Sequence, residues 1–385
     1  EYTTTKQIKP KMRFTVSSTQ LSGSLNNLYK VILSKNTMPI LGCFLFEVNN
    51  DELTVTASDN ENVMMANLKL EESSGDGAFC ITCRTVIDAL KELAEQPISI
   101  EVDMETMQTK IVYLNGIYNI VATPADEYPR PVTAMDDTKM FSIPSNILSE
   151  NISRTIFATA QDELRPVMNG IYFSIEPECM YIAATNGHKL VQNTIFTIKS
   201  DDPASFILPK KPATLLKNVL PKDDSDTIVR FDKRSAEFTY ATGKLICRLT
   251  EGRYPNYKSV IPQDNPNIVT IDRKSLLGSL KRVLPFANES SQLVRLTLTN
   301  SKMEVKSEDL DFSTSAKEVI VCEYNGMPLN IGFKGSTFTE ILNGLESDDV
   351  VIRLADSARA GVVYPLQQPE GQNVLMLMMP MLLND

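Results

Sequence analysis

Residues 14–32 read FTVSSTQLSGSLNNLYKVI. A short alternating run meets a pair of serines, and then Leu21, Leu25 and Leu28 recur at helical spacing. The pattern predicts a strand feeding a helix, with Ser17 near the helix start offering an oxygen to an unpaired amide. The same pattern returns at residues 141–157 as FSIPSNILSENISRTIF and at residues 269–286 as VTIDRKSLLGSLKRVLPF, about 127 residues apart each time. Leu21, Leu148 and Leu276 align, and Leu25, Ile152 and Leu280 align one turn later, so each helix carries one apolar face. Pro144 and Asp272 occupy the place of Ser17, where a fixed φ or a side-chain oxygen suits a helix start.

Two further blocks repeat in the same order. ILGCFLFEVNNDELTVTASDN from Ile40, VMNGIYFSIEPECMYIAATNG from Val167 and LVRLTLTNSKMEVKSEDLD from Leu293 each alternate about a polar turn, which predicts a β-hairpin three times. RTVIDALKELAEQPISIEVD, PATLLKNVLPKDDSDTIVRFD and GSTFTEILNGLESDDVVIRLAD each read as a helix entering a strand, with Leu93, Leu220 and Leu345 in register. Three blocks in one order imply an α+β protein of three repeated domains, each with two helices packed on antiparallel sheet. Proline-bearing polar stretches set the boundaries at 12–134, 135–262 and 263–385. Residues 1–11, EYTTTKQIKPK, lack a hydrophobic pattern and read as a leader or tag outside the fold.

At 42% hydrophobic the 385-residue chain has material for several cores, while no apolar run is long enough to span a bilayer. These features point to the cytoplasm. The cysteines Cys43, Cys80, Cys83, Cys179, Cys247 and Cys322 are scattered as reduced core thiols are, and one CxxC (Cys80, Cys83) beside a single histidine does not make a zinc site. No metal or other cofactor is expected.

The net charge of −10 argues against a nucleic-acid partner until its distribution is read. Lys210, Lys211, Lys217 and Lys222 follow one another without an acid between them, and so do Arg273, Lys274, Lys281 and Arg282. Lys30 and Lys35 lie in and after the first helix, and Arg154 marks its counterpart in the second repeat. Acids crowd instead into loops such as NNDEL and PKDDSD. Helices that are selectively basic in an acidic protein suit phosphate contacts that ignore base identity. Catalytic patterns are missing: there is no GxxxxGK, GxGxxG or GxSxG, and His188 reads best as a turn residue bonded to its neighbours.

FTVSSTQL, MPILGCFLFEV, ATNGHKL, EGRYPNY and the terminal MMPMLL, in this order over residues 12–385, resemble the bacterial DNA polymerase III beta subunit family, the sliding clamps. The resemblance implies a non-catalytic head-to-tail homodimer, in which each chain forms half of a six-domain ring around double-stranded DNA. It implies as partners the DNA polymerase III alpha subunit, the clamp loader, and other polymerases and mismatch-repair factors carrying short binding motifs, with no membrane.

The apolar tail of such a protein forms a peptide-binding groove with a turn of the middle domain. Carried onto this sequence, the groove comprises Met168, Thr185, Gly187, His188, Lys189, Leu190, Pro255, Val260, Leu377, Met378, Met379, Pro380 and Met381. Tyr118 and Ile120 are expected to meet Pro285 and Phe286 of the second copy. Lys35 and Gln161 join Lys30, Arg154, Lys210, Lys211, Lys217, Arg273, Lys274, Lys281 and Arg282 on the DNA side. The chain departs from the family at Asn186, Lys189, Ser259, Ser291 and its MLLND ending, which bears on motif preference. A repeat-built peptide scaffold that never encloses DNA is the competing reading.

Overall fold

A computed structural model describes residues 11–131, 135 and 137–383. In the first repeat β1 (Lys11–Ser17) enters α1 (Ser18–Tyr29), followed by β2 (Cys43–Asn49), β3 (Glu52–Ser58), β4 (Asn62–Lys69) and β5 (Glu72–Ser74). Then come β6 (Gly77–Thr82), α2 (Cys83–Leu90), β7 (Pro97–Asp103), β8 (Gln108–Tyr113), β9 (Gly116–Val121) and β10 (Thr123–Pro124). The second repeat runs β11 (Lys139–Pro144), α3 (Ser145–Thr155), β12 (Gly170–Ile175), β13 (Met180–Thr185) and β14 (Lys189–Ile195). It continues with β15 (Ala204–Pro209), α4 (Lys210–Val219), β16 (Asp226–Phe231), β17 (Ser235–Tyr240) and β18 (Gly243–Arg248). The third repeat runs β19 (Asn267–Asp272), α5 (Arg273–Val283), β20 (Leu293–Thr299), β21 (Lys302–Asp309) and β22 (Thr314–Val321). It ends with β23 (Leu329–Lys334), α6 (Gly335–Asn343), β24 (Asp349–Leu354), β25 (Gly361–Pro365) and β26 (Gln372–Met378).

Two of the three repeated helix starts have the expected side-chain cap, while Pro144 ends β11 immediately before α3. Ser17 Oγ accepts from the Gln20 amide at 3.3 Å and Asp272 Oδ1 from the Ser275 amide at 2.6 Å. The aligned pairs Leu21 and Leu25, Leu148 and Ile152, and Leu276 and Leu280 are fully buried. Leu220 and Leu345 are buried too, whereas Leu93 is only half-buried. The first strand begins one residue inside the expected leader, since Lys11 pairs with Asp103; residues 1–10 lie outside the described residues.

The chain divides into two compact units, one of residues up to Ile147 with Leu215–Arg248, the other of Leu148–Thr214 with Leu249 onward. The first contains the sheets β5-β1-β7-β8-β9 and β10-β6-β2-β3-β4-β18-β17-β16-β11. The second contains β15-β12-β13-β14-β26-β25-β24-β19 and β22-β21-β20-β23. Each unit therefore holds one sheet that runs across two repeats. In the first, β4 pairs with β18, Ala66 opposite Gly243; in the second, β14 pairs with β26, Asn193 opposite Val374. At Gly243 an added Cβ would lie 2.0 Å from the Met65 carbonyl oxygen, so that join admits only glycine. The strands in corresponding places, β9 in the first repeat and β22 in the third, are sheet edges.

All six cysteines are buried and unbridged. Burial pushes the Cys80 thiol up to about 12, which makes it a core residue rather than a nucleophile. Among the described residues no His, Cys, Asp and Glu cluster is arranged to hold a metal, and no helix is long and apolar enough to cross a membrane.

Candidate functional site

The last strand, β26, alternates between two environments. Val374, Met376 and Met378 enter the core of the second unit, packed in one cluster with Phe333 and Phe338. Leu375 and Leu377 face the opposite way, into a second cluster with Leu190, Tyr254 and Tyr257. Beyond the strand's end, Met379 is 41% exposed. That second face borders a cavity of about 450 Å³ lined by Met168, Thr185, Gly187, Lys189, Leu190, Pro255, Asn256, Tyr257, Val260, Pro262, Ala358, Arg359, Ala360, Leu377 and Met379. An open, mostly apolar cleft with a few fixed polar groups suits a peptide or small-molecule ligand.

One wall is the turn between β13 and β14. Asn186 Oδ1 accepts from the amides of His188 and Lys189 at 2.9 and 3.0 Å, and Thr185 Oγ donates to the Lys189 carbonyl while accepting from the Gly187 amide. Gly187 has φ of +89°, which favours glycine. The Asn186 side-chain oxygen thus holds the turn through two backbone amides.

Of the aromatic residues in that second cluster, Tyr257 lines the cavity, and two further tyrosines pack against it. Tyr172 and Tyr254 stack at 4.7 Å between centroids with an interplanar angle of 6°, and Tyr257 meets both edge-on. Tyr254 Oη accepts from the Thr185 amide at 3.0 Å, and burial pushes its phenol up to about 12. Lys189, only 8% exposed, pairs its ammonium with Glu340 and lies over the Phe157 ring.

Four expected groove residues do not line the cavity. Met378 points into the core because strand alternation sends it there. His188 is an exposed turn residue whose carbonyl accepts from the Met379 amide at 2.8 Å, so it anchors the tail through backbone. Met381 bridges to Gly332, its amide donating to the Gly332 carbonyl at 2.8 Å, and Pro380 lies between these two anchors. The structure adds Asn256, Tyr257, Pro262, Ala358, Arg359 and Ala360. Tyr257 stands in the EGRYPNY string, but the loop Ala358–Ala360 carries no periodicity or motif that could have placed it there.

The basic positions divide. Lys30, Lys35, Lys210, Lys217, Lys274 and Lys281 are exposed, as is Gln161, while Lys211 is half-buried. Arg273 instead caps α6, donating to the Leu342 and Ser347 carbonyls, and Arg282 forms a two-pronged pair with Glu318 at 2.6 and 2.8 Å. Arg154 is 5% exposed and cannot present its charge to DNA from that position. The polar face of α3 turns inward: Asn151 Nδ2 donates to Gln372, and Asn193 Nδ2 donates to Thr155. Desolvation there lowers the Arg154 pKa below its ordinary value.

Tyr118 and Ile120 lie half-buried on the edge strand β9, while Pro285 and Phe286 are exposed after α5. The sequence reading missed the other free edge, β22, where Val319 and Val321 are 59% and 79% exposed.

Residues 12–133, 142–256 and 258–382 match in order the N-terminal, central and C-terminal domains of the DNA polymerase III beta subunit family. The chain is similar to the beta sliding clamp of Haemophilus influenzae, 25% identical over 367 residues covering 95% of this chain and 100% of the relative. It is similar to that of Escherichia coli at 26% over 375 residues, covering 96% and 100%. Among solved structures it is similar to the sliding clamp (DNA polymerase III subunit beta) of Pseudomonas aeruginosa bound to griselimycin. That match is 25% identical with a TM-score of 0.91 over 97% of this chain and 100% of the other.

Proposed function

The chain belongs to the DNA polymerase III beta subunit family, and from that premise we propose that two copies close into a six-domain ring that encircles double-stranded DNA without reading its sequence. It is a non-catalytic processivity subunit, a sliding clamp. Its domains are taken as 12–134, 135–262 and 263–385, and its compartment as the cytoplasm. The groove receives short motifs from the DNA polymerase III alpha subunit, the clamp loader, and other polymerases and mismatch-repair factors. A modest peptide contact then becomes a durable tether, because a partner held on encircled DNA stays at high effective concentration.

One observation carries the closure. The same strand-to-strand join is made twice within the chain, β4 to β18 and β14 to β26, and the corresponding strands β22 and β9 are left as edges. Unpaired edges invite another chain, and a head-to-tail join of β22 to the β9 of a second copy repeats the internal solution. The repeat also gives its register. Ala66, Asn193 and Glu318 occupy equivalent places, and so do Gly243, Val374 and Gly116. Glu318 therefore lies opposite Gly116 of the second copy, Ala316 opposite its Tyr118 and Thr314 opposite its Ile120.

The test is a chain carrying both Tyr118→Cys and Ala316→Cys. Mild oxidation should give a covalently closed dimer that remains on nicked circular duplex after loading and leaves when the circle is cut. Retention that ignores DNA ends would favour the open scaffold, and cross-linking confined to open-ended oligomers would sink the ring. The exposed Lys274 and Lys281 support phosphate contact on the inner helices. Reversing both to glutamate should lower duplex affinity about tenfold at moderate salt, each lost contact also flattening the salt dependence.

A further inference from the structure

We propose that Arg359 makes the groove selective for linear peptides that carry an acidic side chain beside their apolar anchors. This rests on the groove being the peptide site, and adds to it the charge of the ligand.

The residues lining the cavity include two cations, Lys189 and Arg359, and no acid. They are not equivalent. Lys189 is 8% exposed and its ammonium is already paired with Glu340, so it offers a ligand its hydrocarbon stem. Arg359 is exposed at the rim between Ala358 and Ala360, which are too small to screen it. Two bonds fix this segment: Asp356 Oδ1 accepts from the amides of Ala358 and Arg359, both at 2.9 Å. The guanidinium is steadied in turn by Nη1 donating to the Asp264 carbonyl at 2.8 Å.

A guanidinium has five N–H donors in a planar fork that matches a carboxylate. With Nη1 on a neutral carbonyl, the Arg359 guanidinium has further N–H donors to offer beside an apolar cleft. Asp356 attracts it electrostatically, while one oxygen of that carboxylate is engaged by the turn amides. A peptide whose leucine-like anchors enter the cleft brings neighbouring side chains to this rim, where glutamate or aspartate gains a charge-assisted bond and lysine or arginine meets like charge.

The experiment measures fluorescence anisotropy with the full chain and labelled ten-residue peptides, capped at both ends so that no terminal charge contributes. Each peptide contains a Leu-Leu pair, with glutamate or its isostere glutamine placed immediately before or after the pair. At low salt the glutamate form should bind about threefold to fivefold tighter than its glutamine counterpart in at least one placement, as suits an exposed charge pair. The ratio should fall to about one in Arg359→Gln, invert in Arg359→Glu, survive in part in Arg359→Lys, and shrink in the wild type as salt rises. Equal binding of both forms to the wild type in both placements, or a preference that persists in Arg359→Gln, overturns the proposal while leaving the groove standing. Failure of every peptide to bind removes the groove reading, and this inference with it.

Discussion

The two faces of the last strand are built from the same residue types and do different work. Met376 and Met378 are 0% and 1% exposed in a core cluster, whereas Leu377 and Met379 border an open cleft. Within β26 the distinction is parity along the strand, and Met379, just past its end, continues the outward side, so neighbours in sequence differ in what they touch. An apolar tail is thus neither wholly a binding wall nor wholly a core; it is one on each side. Methionine suits both, packing irregular space on one face and repacking around different ligands on the other.

The comparison breaks most easily at Met376. Met376→Ala removes a fully buried side chain and should cost about 3 kcal/mol, measured as a shift in the denaturation midpoint of the unit that contains it. A silent substitution would mean that the inward face is no core at all. Tyr254→Phe tests the opposite side. It deprives the buried Thr185 amide of its acceptor while keeping the ring stack, and should cost about 1–2 kcal/mol.

The same phenol gives a pH test. Its folded pKa is raised to about 12 from an ordinary value of 10.0, so the folded state holds the proton more tightly than the unfolded state. Stability from this group is complete below the unfolded value and is lost as pH rises through the folded one. The wild type should therefore lose part of its advantage over Tyr254→Phe as pH rises from 10.0 to about 12. A gap that widens instead would mean that the hydroxyl is not the buried acceptor it is taken to be.

Much of this was legible in the chain because repetition amplifies weak signals. Leu148 with Ile152 would not by itself establish a helix face, but alignment with Leu21 and Leu25 and with Leu276 and Leu280 does, and all six are buried. What failed to show was facing and pairing. Arg154 looked like a surface cation in a basic series, yet α3 buries that polar side by bonding to β14 and β26, strands distant in sequence. Arg273 and Arg282 likewise found partners far along the chain, in the Leu342 and Ser347 carbonyls and in Glu318. The Ala358–Ala360 rim is invisible to any periodicity, because a turn brings it to the groove rather than a strand or helix.

The finest test separates two methionines of the tail that sequence reading treats alike. Met379 is 41% exposed at the cavity, its amide held by the His188 carbonyl, so its side chain is positioned without being consumed by the core. Met381, two residues on, is tied by its amide to the Gly332 carbonyl and lies outside the lining. Met379→Ala should weaken a bound peptide about fivefold, as one partly desolvated anchor contact does, and Met381→Ala should change affinity by less than about twofold. Both bonds are made by backbone, so neither substitution removes the anchor, and the difference reports side-chain contact alone. Equal losses at the two positions would place the ligand further along the tail than the cavity reaches, and would make the tail's end, rather than the outward face of β26, the wall that partners meet.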